Sequence, residues 1–189
     1  MTDTKTLWFD MDGVLALYER NAYISTTPDP PLYLQPDRHY FRTVIPDRKM
    51  IAALDLLQHK SAHDVRIITT ISPNPIVKDV QISDKIEWLS KYCPFINIET
   101  QFFATDISKH ERVLSIINHT LFASDKQYML TPNQILIDDF NKNLTNWQTA
   151  GGVAIKYLNG INSPLSFNGP LITEDMSDPL TIAKFLATF

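Results

Sequence analysis

The sequence predicts an α/β fold: a three-layer sandwich with a central parallel sheet and a small insert after the first strand. Three observations predict it. Short apolar runs of strand length alternate with segments of helical periodicity, the runs being Leu7–Phe9, Val65–Thr69, Gln134–Ile137 and Val153–Ile155. Most of these runs are continuously apolar, as in strands covered on both faces. Polar residues also collect directly after them, namely Asp10 and Asp12, Thr69 or Thr70, and Asp138 with Asp139. Open parallel sheets bind ligands at that end of their strands.

The elements follow in order. Leu7–Phe9 is the first strand, and Gly13 lets the chain turn sharply beyond it. From about Ala16 to Ile45 the prolines Pro28, Pro30, Pro31 and Pro36 exclude a long helix or a central strand. This segment reads as an insert of loops with at most one short helix. The division is a core of residues 1–14 and 46–189, with the insert at 15–45. Pro46-Asp47 opens a helix to about His59, with Met50, Leu54 and Leu57 on its apolar stripe. Ser72–Pro75 ends the second strand. Ile76–Tyr92 reads as one or two helices, with Ile82, Ile86 and Leu89 on one face and Ser83 as a candidate N-cap. Ile96–Phe103 holds a strand in its later half. Ser108 caps a helix to about Asn118, and His119–Asn133 is polar and unassigned. Asn141–Ala150 is helical and Gly151-Gly152 stops it. Pro179–Phe189 forms a last amphipathic helix.

At 189 residues, 44% hydrophobic and 20% charged, the chain fits one soluble domain, or one domain with a small insert. A net charge of −4 provides no basic field for duplex nucleic acid. The lone Cys93 excludes an internal disulfide framework, fits a reducing compartment and reads as a packed small hydrophobe. Residues 1–6 lack the basic-then-apolar order of a signal peptide, and no apolar run approaches the ~18 residues that span a bilayer. The expectation is a cytoplasmic protein without a membrane partner; the oligomeric state is left open.

The chemistry centres on Asp10 and Asp12. Residues two apart on an extended segment point the same way, so two carboxylates start out aimed together at the end of a buried strand. A divalent cation or a proton offsets their repulsion. A solvated Asp-Gly turn is the plainer alternative.

Asp10-Met11-Asp12-Gly13-Val14, a strand ending in Thr69, a following lysine, and Ile137-Asp138-Asp139 resemble the four ordered motifs of haloacid dehalogenase-like hydrolases. The resemblance covers Leu7 to Ile155. Within that superfamily, Asp-Met-Asp-Gly-Val-Leu, the Pro-rich turn after Thr69 and the spacing of Lys109 look most similar to the cytosolic 5'(3')-deoxyribonucleotidase-like branch. The resemblance implies a Rossmann-like core and a Mg²⁺-dependent phosphomonoester hydrolase working through an aspartyl-phosphate. Asp10 would be the nucleophile and Asp12 the proton donor and acceptor. Asp10, the backbone carbonyl of Asp12, and Asp138 would hold Mg²⁺, with Asp139 supporting them from behind.

A threonine hydroxyl would meet a phosphoryl oxygen. Thr69 and Thr70 lie on opposite sides of the strand, so one of them faces the site; Thr69 is favoured. Lys109 is the favoured lysine by position and Lys142 the runner-up, while Lys78, Lys85 and Lys91 read as solvated helix residues. His39, His59, His63, His110 and His119 show no paired metal spacing, and Trp8, Trp88 and Trp147 read as core.

The insert departs from the branch by being too short for the usual helical cap. Its aromatics Tyr18, Tyr23, Tyr33, Tyr40 and Phe41 either stack a nucleobase or form the insert's own small core. The substrate expected is a small phosphomonoester, as far as a 5'-nucleotidase on (deoxy)nucleoside monophosphates. A phosphatase on a sugar phosphate, phosphoprotein or nucleic-acid end, and a non-catalytic metal or phosphate binder, remain the alternatives.

Overall fold

A computed structural model describes residues 4–25, 29–120, 129–162 and 167–189, the side chains of 118–120 excepted. The unassigned stretch from His119 therefore lies mostly outside the described residues, as do Pro28 and the first three residues.

The chain enters through β1 (Thr6–Asp10) and leaves the sheet for the insert. A two-residue strand β2 (Ala16–Leu17) pairs antiparallel with β3 (Ile45–Pro46) at the insert's neck. Between them lie single 3₁₀ turns at Arg20–Tyr23, Leu32–Leu34 and Pro36–Arg38 and a one-turn helix α1 (Tyr40–Thr43). Then come α2 (Arg48–Lys60), β4 (Asp64–Thr70), α3 (Pro75–Tyr92), α4 (Ile98–Gln101) and β5 (Phe102–Thr105). The second half is α5 (Lys109–Thr120), β6 (Gln134–Asp138), α6 (Asn141–Thr149), β7 (Val153–Tyr157), β8 (Leu171–Ile172) and α7 (Pro179–Leu186).

The main sheet is parallel throughout, in the order β5-β4-β1-β6-β7-β8. The chain runs outward from β1 in one direction through β4 and β5, then in the other through β6, β7 and β8. Asp10 therefore ends the central strand at the point where strand order reverses, where such sheets open a crevice. The sheet is covered on both faces, as the apolar runs predict. Leu7 and Phe9 of β1 pack with Met50, Leu54, Trp88, Ile182 and Leu186 on one side. Trp8, between them, packs with Val113, Leu136, Leu144 and Trp147 on the other. All three tryptophans are core, and each indole N–H has a partner: Gln134 Oε1 for Trp8, the Val44 carbonyl for Trp88, and the Gln134 carbonyl for Trp147. Cys93 is buried too, and burial with a smaller push from Asp55 raises its thiol to about 12.

The structure refines the elements at three points and overturns one reading, Ser83 as an N-cap. Ile76–Tyr92 is one helix, capped by Asn74, whose side chain accepts the Ile76 N–H at 3.1 Å; Ser83 lies inside it. Its buried face is Val77, Gln81, Asp84, Lys85, Trp88 and Leu89, while Ile82 and Ile86 are half-buried. The strand expected in the later half of Ile96–Phe103 starts at Phe102, because Asn97 caps the short α4 before it. β8 has no counterpart in the sequence reading, being a two-residue edge strand.

Candidate active site

β1, β4, α3, α5 and β6 each deliver one end of the site. Asp10 closes β1, and its Oδ1 accepts from the Met11 N–H at 2.7 Å and from Lys109 Nζ at 2.7 Å. Burial pushes its carboxyl well above the usual range; Lys109 opposes this, and Asp138, Asp12 and Asp139 add to it. Lys109 opens α5 and bridges Asp10 to Asp138 Oδ2, at 2.6 Å. Burial works against its charge, but the two carboxylates outweigh that and hold the ammonium above its ordinary value.

Asp12 Oδ2 accepts from the Thr69 hydroxyl at 3.0 Å and pairs with Lys85. Lys85 is fully buried on α3, with Nζ 2.7 Å from Thr69 Oγ1 and 4.0 Å from the centre of the Phe41 ring. Burial lowers its pKa, and Asp12 opposes that fall. Asp12 Oδ1 is buried with no hydrogen-bond partner among the described residues. Position alone puts Lys85 among the solvated helix lysines, and its complete burial corrects that reading. The expectation of surface lysines holds for Lys78, half-exposed and paired with Asp106, and for Lys91.

The two acids after β6 differ. Asp138 Oδ2 accepts from Lys109 and from Asn143 Nδ2 at 3.0 Å, and its Oδ1 accepts the Phe140 N–H at 2.8 Å. Asp139 faces the cavity beside Gly13. Its Oδ2 accepts from Asn159 Nδ2 at 2.8 Å and Asn162 Nδ2 at 2.7 Å. Burial, then the neighbouring Asp138, pushes its carboxyl up to about 7. Gly13 has φ +90°, and a Cβ there would lie 2.2 Å from Asp139 Oδ2, so both conformation and space demand glycine. Lys156, interrupting the apolar β7 run, is buried with Nζ on the Asp139 carbonyl at 2.9 Å and Asn141 Oδ1 at 2.5 Å.

Asp10, Asp138 and Asp139 each offer an oxygen, all within 4.8 Å of one another. Such a set of hard, anionic donors beside a glycine cradle suits a small divalent cation such as Mg²⁺.

A cavity of about 780 Å³ opens over these groups. Asp10, Asp12, Asp139, Lys109 and Thr70 line it, together with Tyr18, Tyr23, Tyr33 and Phe41 from the insert. Thr70 is exposed to it, whereas Thr69 is buried and bonded to Asp12 and Lys85. Lys142, Asn143 and Asn146 line the cavity as well. The insert's aromatics also pack on one another: Tyr23 stacks on Tyr33 at 4.3 Å and 16°, meets Tyr18 at 4.6 Å, and Tyr40 meets Phe41 edge-on at 5.3 Å. The two readings of these rings are thus compatible: Tyr40 belongs to the insert's own core, and the others serve both that core and the cavity wall.

His39 has a structural role the sequence did not show. Its Nδ1 meets buried Asp84 at 2.9 Å, beside Arg42 Nε at 2.6 Å.

No family model matches the sequence, and no curated protein matches it. Among solved structures, the fold is that of haloacid dehalogenase-like hydrolases. The D,D-heptose 1,7-bisphosphate phosphatase of B. bronchiseptica, complexed with magnesium and phosphate, superposes with TM-score 0.60 at 14% identity over 98% of this chain and 99% of its own. The corresponding phosphatase of Burkholderia thailandensis gives 0.57 at 12%, over 97% and 99%. A haloacid dehalogenase-like hydrolase of Streptococcus pneumoniae gives 0.58 at 14%, over 98% and 100%. At these identities the likeness concerns the fold.

Proposed function

We propose that this chain is a Mg²⁺-dependent phosphomonoester hydrolase that works through an aspartyl-phosphate. One observation carries the reading: Asp10 and Asp12 open into the same cavity but answer to different partners. Asp10 is paired with Lys109, which places a fixed positive charge where a phosphate must approach a carboxylate. Asp12 is held by Thr69 and Lys85, which fixes the direction of its carboxyl group.

In the first step a carboxylate oxygen of Asp10 attacks phosphorus, and the ester P–O bond breaks as the leaving oxygen takes a proton from Asp12. In the second, Asp12 takes a proton from water, the water oxygen attacks phosphorus, and the bond to Asp10 breaks, releasing inorganic phosphate. Thr70 lines the cavity and is our choice for the phosphoryl contact, with Thr69 positioning Asp12 instead.

The carboxylates of Asp10 and Asp139 and the backbone carbonyl of Asp12 would hold Mg²⁺. Asp138 belongs to the same oxygen set, and its bonds to Lys109, Asn143 and the Phe140 N–H also give it the placement of that lysine. The ion would neutralise phosphoryl charge as it approaches the acids.

The cavity exceeds what a phosphate needs, and its tyrosine wall offers flat apolar faces to a planar leaving group. That supports a nucleoside monophosphate as substrate. The amide wall of Asn143 and Asn146, with Lys142, favours a second reading, a sugar phosphate. The lone buried Cys93 fits a reducing, cytoplasmic setting. No described helix is long and apolar enough to cross a membrane.

The test is hydrolysis of p-nitrophenyl phosphate with and without Mg²⁺, comparing wild type with Asp10→Asn. Metal-dependent turnover abolished by the substitution supports the reading; a panel of nucleotide, sugar and peptide phosphates then separates the substrates. Absence of turnover on every monophosphate would overturn it in favour of a non-catalytic binder.

A further inference from the structure

Asp139 is held unlike any other acid in the site. Asp10 and Asp138 both give an oxygen to Lys109, so part of their charge is cancelled within the protein. The Asp139 carboxylate is gripped by two neutral amides from the segment after β7. Asn159 and Asn162 both donate to Oδ2, at 2.8 and 2.7 Å. A neutral donor fixes the carboxylate's orientation and leaves its negative charge available to a cation.

The amides are themselves fixed. Asn159 Nδ2 also donates to the Gly13 carbonyl at 2.5 Å, and its Oδ1 accepts the Ile161 N–H at 2.8 Å. Turning that amide over would set its oxygen against a carboxylate and a carbonyl at once, so the orientation is dictated by chemistry. Asn162 Nδ2 donates to the Tyr18 hydroxyl at 2.9 Å as well as to Asp139. Lys156, on β7 just before them, holds the Asp139 backbone carbonyl. One short stretch of chain thus fixes Asp139 at both main chain and side chain. It also ties Asp139 to the turn after β1 through Gly13 and to the insert through Tyr18.

We infer that Asn159 and Asn162 are positioning residues of the divalent-cation site, orienting Asp139 toward the ion without neutralising it. This rests on the Mg²⁺ site proposed above. Asn162 makes the decisive test, because Asn159 also shapes its own turn.

The experiment measures Mn²⁺ binding, as a spin-bearing substitute for Mg²⁺, by titration calorimetry and electron paramagnetic resonance on the purified metal-free chain. Wild type, Asn162→Ala, Asn159→Ala and Leu57→Ala are compared, with thermal unfolding of each. Leu57 is a core residue of α2 and serves as a purely structural control. The expected result is a loss of affinity of about 10- to 100-fold in both asparagine variants. Leu57→Ala should unfold earlier than wild type with unchanged affinity. Asn162→Ala that folds and binds Mn²⁺ within about threefold of a binding wild type overturns this inference and leaves the metal site standing. A wild type that binds no Mn²⁺ overturns the metal reading and this inference with it. An affinity loss in Leu57→Ala equal to that in Asn162→Ala also overturns the inference, since general loosening would then account for both.

Discussion

Replacing Lys85 by methionine tests the arrangement where it is most exposed to refutation. Methionine matches the length of the lysine stem and keeps its apolar packing, so the perturbation is chiefly loss of the ammonium. That ammonium is fully buried and meets Asp12 Oδ2 and Thr69 Oγ1. Breaking one side of a buried ion pair costs about 3–5 kcal/mol, because the remaining charge loses its partner. The Asp12 side chain is 16% exposed, so water recovers part of this and the cost falls near ~3 kcal/mol. Methionine sulfur against the Phe41 ring replaces part of the cation–π contact, which adds little further. For a chain of this size, ~3 kcal/mol lowers Tm by about 6–12 °C. Urea titration and calorimetry at neutral pH measure it, alongside Lys85→Met combined with Asp12→Asn. The double variant lacks the stranded carboxylate and should recover most of the loss. A single variant within about 1 kcal/mol of wild type, or a double variant no more stable than the single, would refute the pairing.

Three other outcomes follow from the same geometry. Gly13→Ala sets a methyl against the Asp139 carboxylate at positive φ, and is expected to cost about 1–3 kcal/mol and most phosphatase turnover, read by urea unfolding and p-nitrophenyl phosphate hydrolysis. Tyr157 donates its hydroxyl to buried Asp47, and burial, then that bond, raises its pKa above the ordinary 10.0. A raised pKa contributes stability that is intact below pH 10 and is lost as pH rises beyond it, so Tyr157→Phe should remove about 1.4 kcal/mol per pH unit from the alkaline slope of unfolding free energy. Asp84→Ala frees His39 and leaves Arg42 with Glu87 alone, and these side chains, 45% and 36% exposed, rehydrate readily. The stability loss should stay near ~1–2 kcal/mol, while limited proteolysis of the insert between residues 20 and 38 accelerates.

The central strands were legible because β1 and β6 are continuous apolar runs closed by acids, a pattern that both burial and sheet topology require. That Lys109 opens a helix after a strand was legible from the pattern, and the structure sets its ammonium between Asp10 and Asp138. The burial of Lys85 was not legible. The buried face of α3 carries Gln81, Asp84 and Lys85, and a search for apolar periodicity rejects such a face in favour of Ile82 and Ile86. A signal was present: Gln81, Asp84, Lys85 and Trp88 repeat at helical spacing and end on a tryptophan. Alternation along β4 established that Thr69 and Thr70 face opposite ways, but the side they face depends on α3, whose buried face was misread. The contacts of Asn159 and Asn162 with Asp139 left no local trace, since they arise from β7 lying beside β6.

That same face of α3 explains how a short insert can shape a site. Gln81 accepts the Ser72 N–H at 2.7 Å and donates to the Tyr33 carbonyl at 2.8 Å, joining the loop after β4 to the insert. Asp84, one turn on, takes His39 and Arg42 from the insert, and Lys85 takes Asp12 from the turn after β1. Three polar groups on one stiff helix thus fix three chain segments relative to one another. Moving the insert away from the cavity would strip partners from buried Gln81 and Asp84 together, a penalty of about 1–3 kcal/mol for each group left unsatisfied. The aromatic wall is therefore held in place before a substrate arrives. In the hydrolase proposed above, discrimination would come from the shape of Tyr18, Tyr23, Tyr33 and Phe41, because a wall tied to α3 cannot reform around each leaving group.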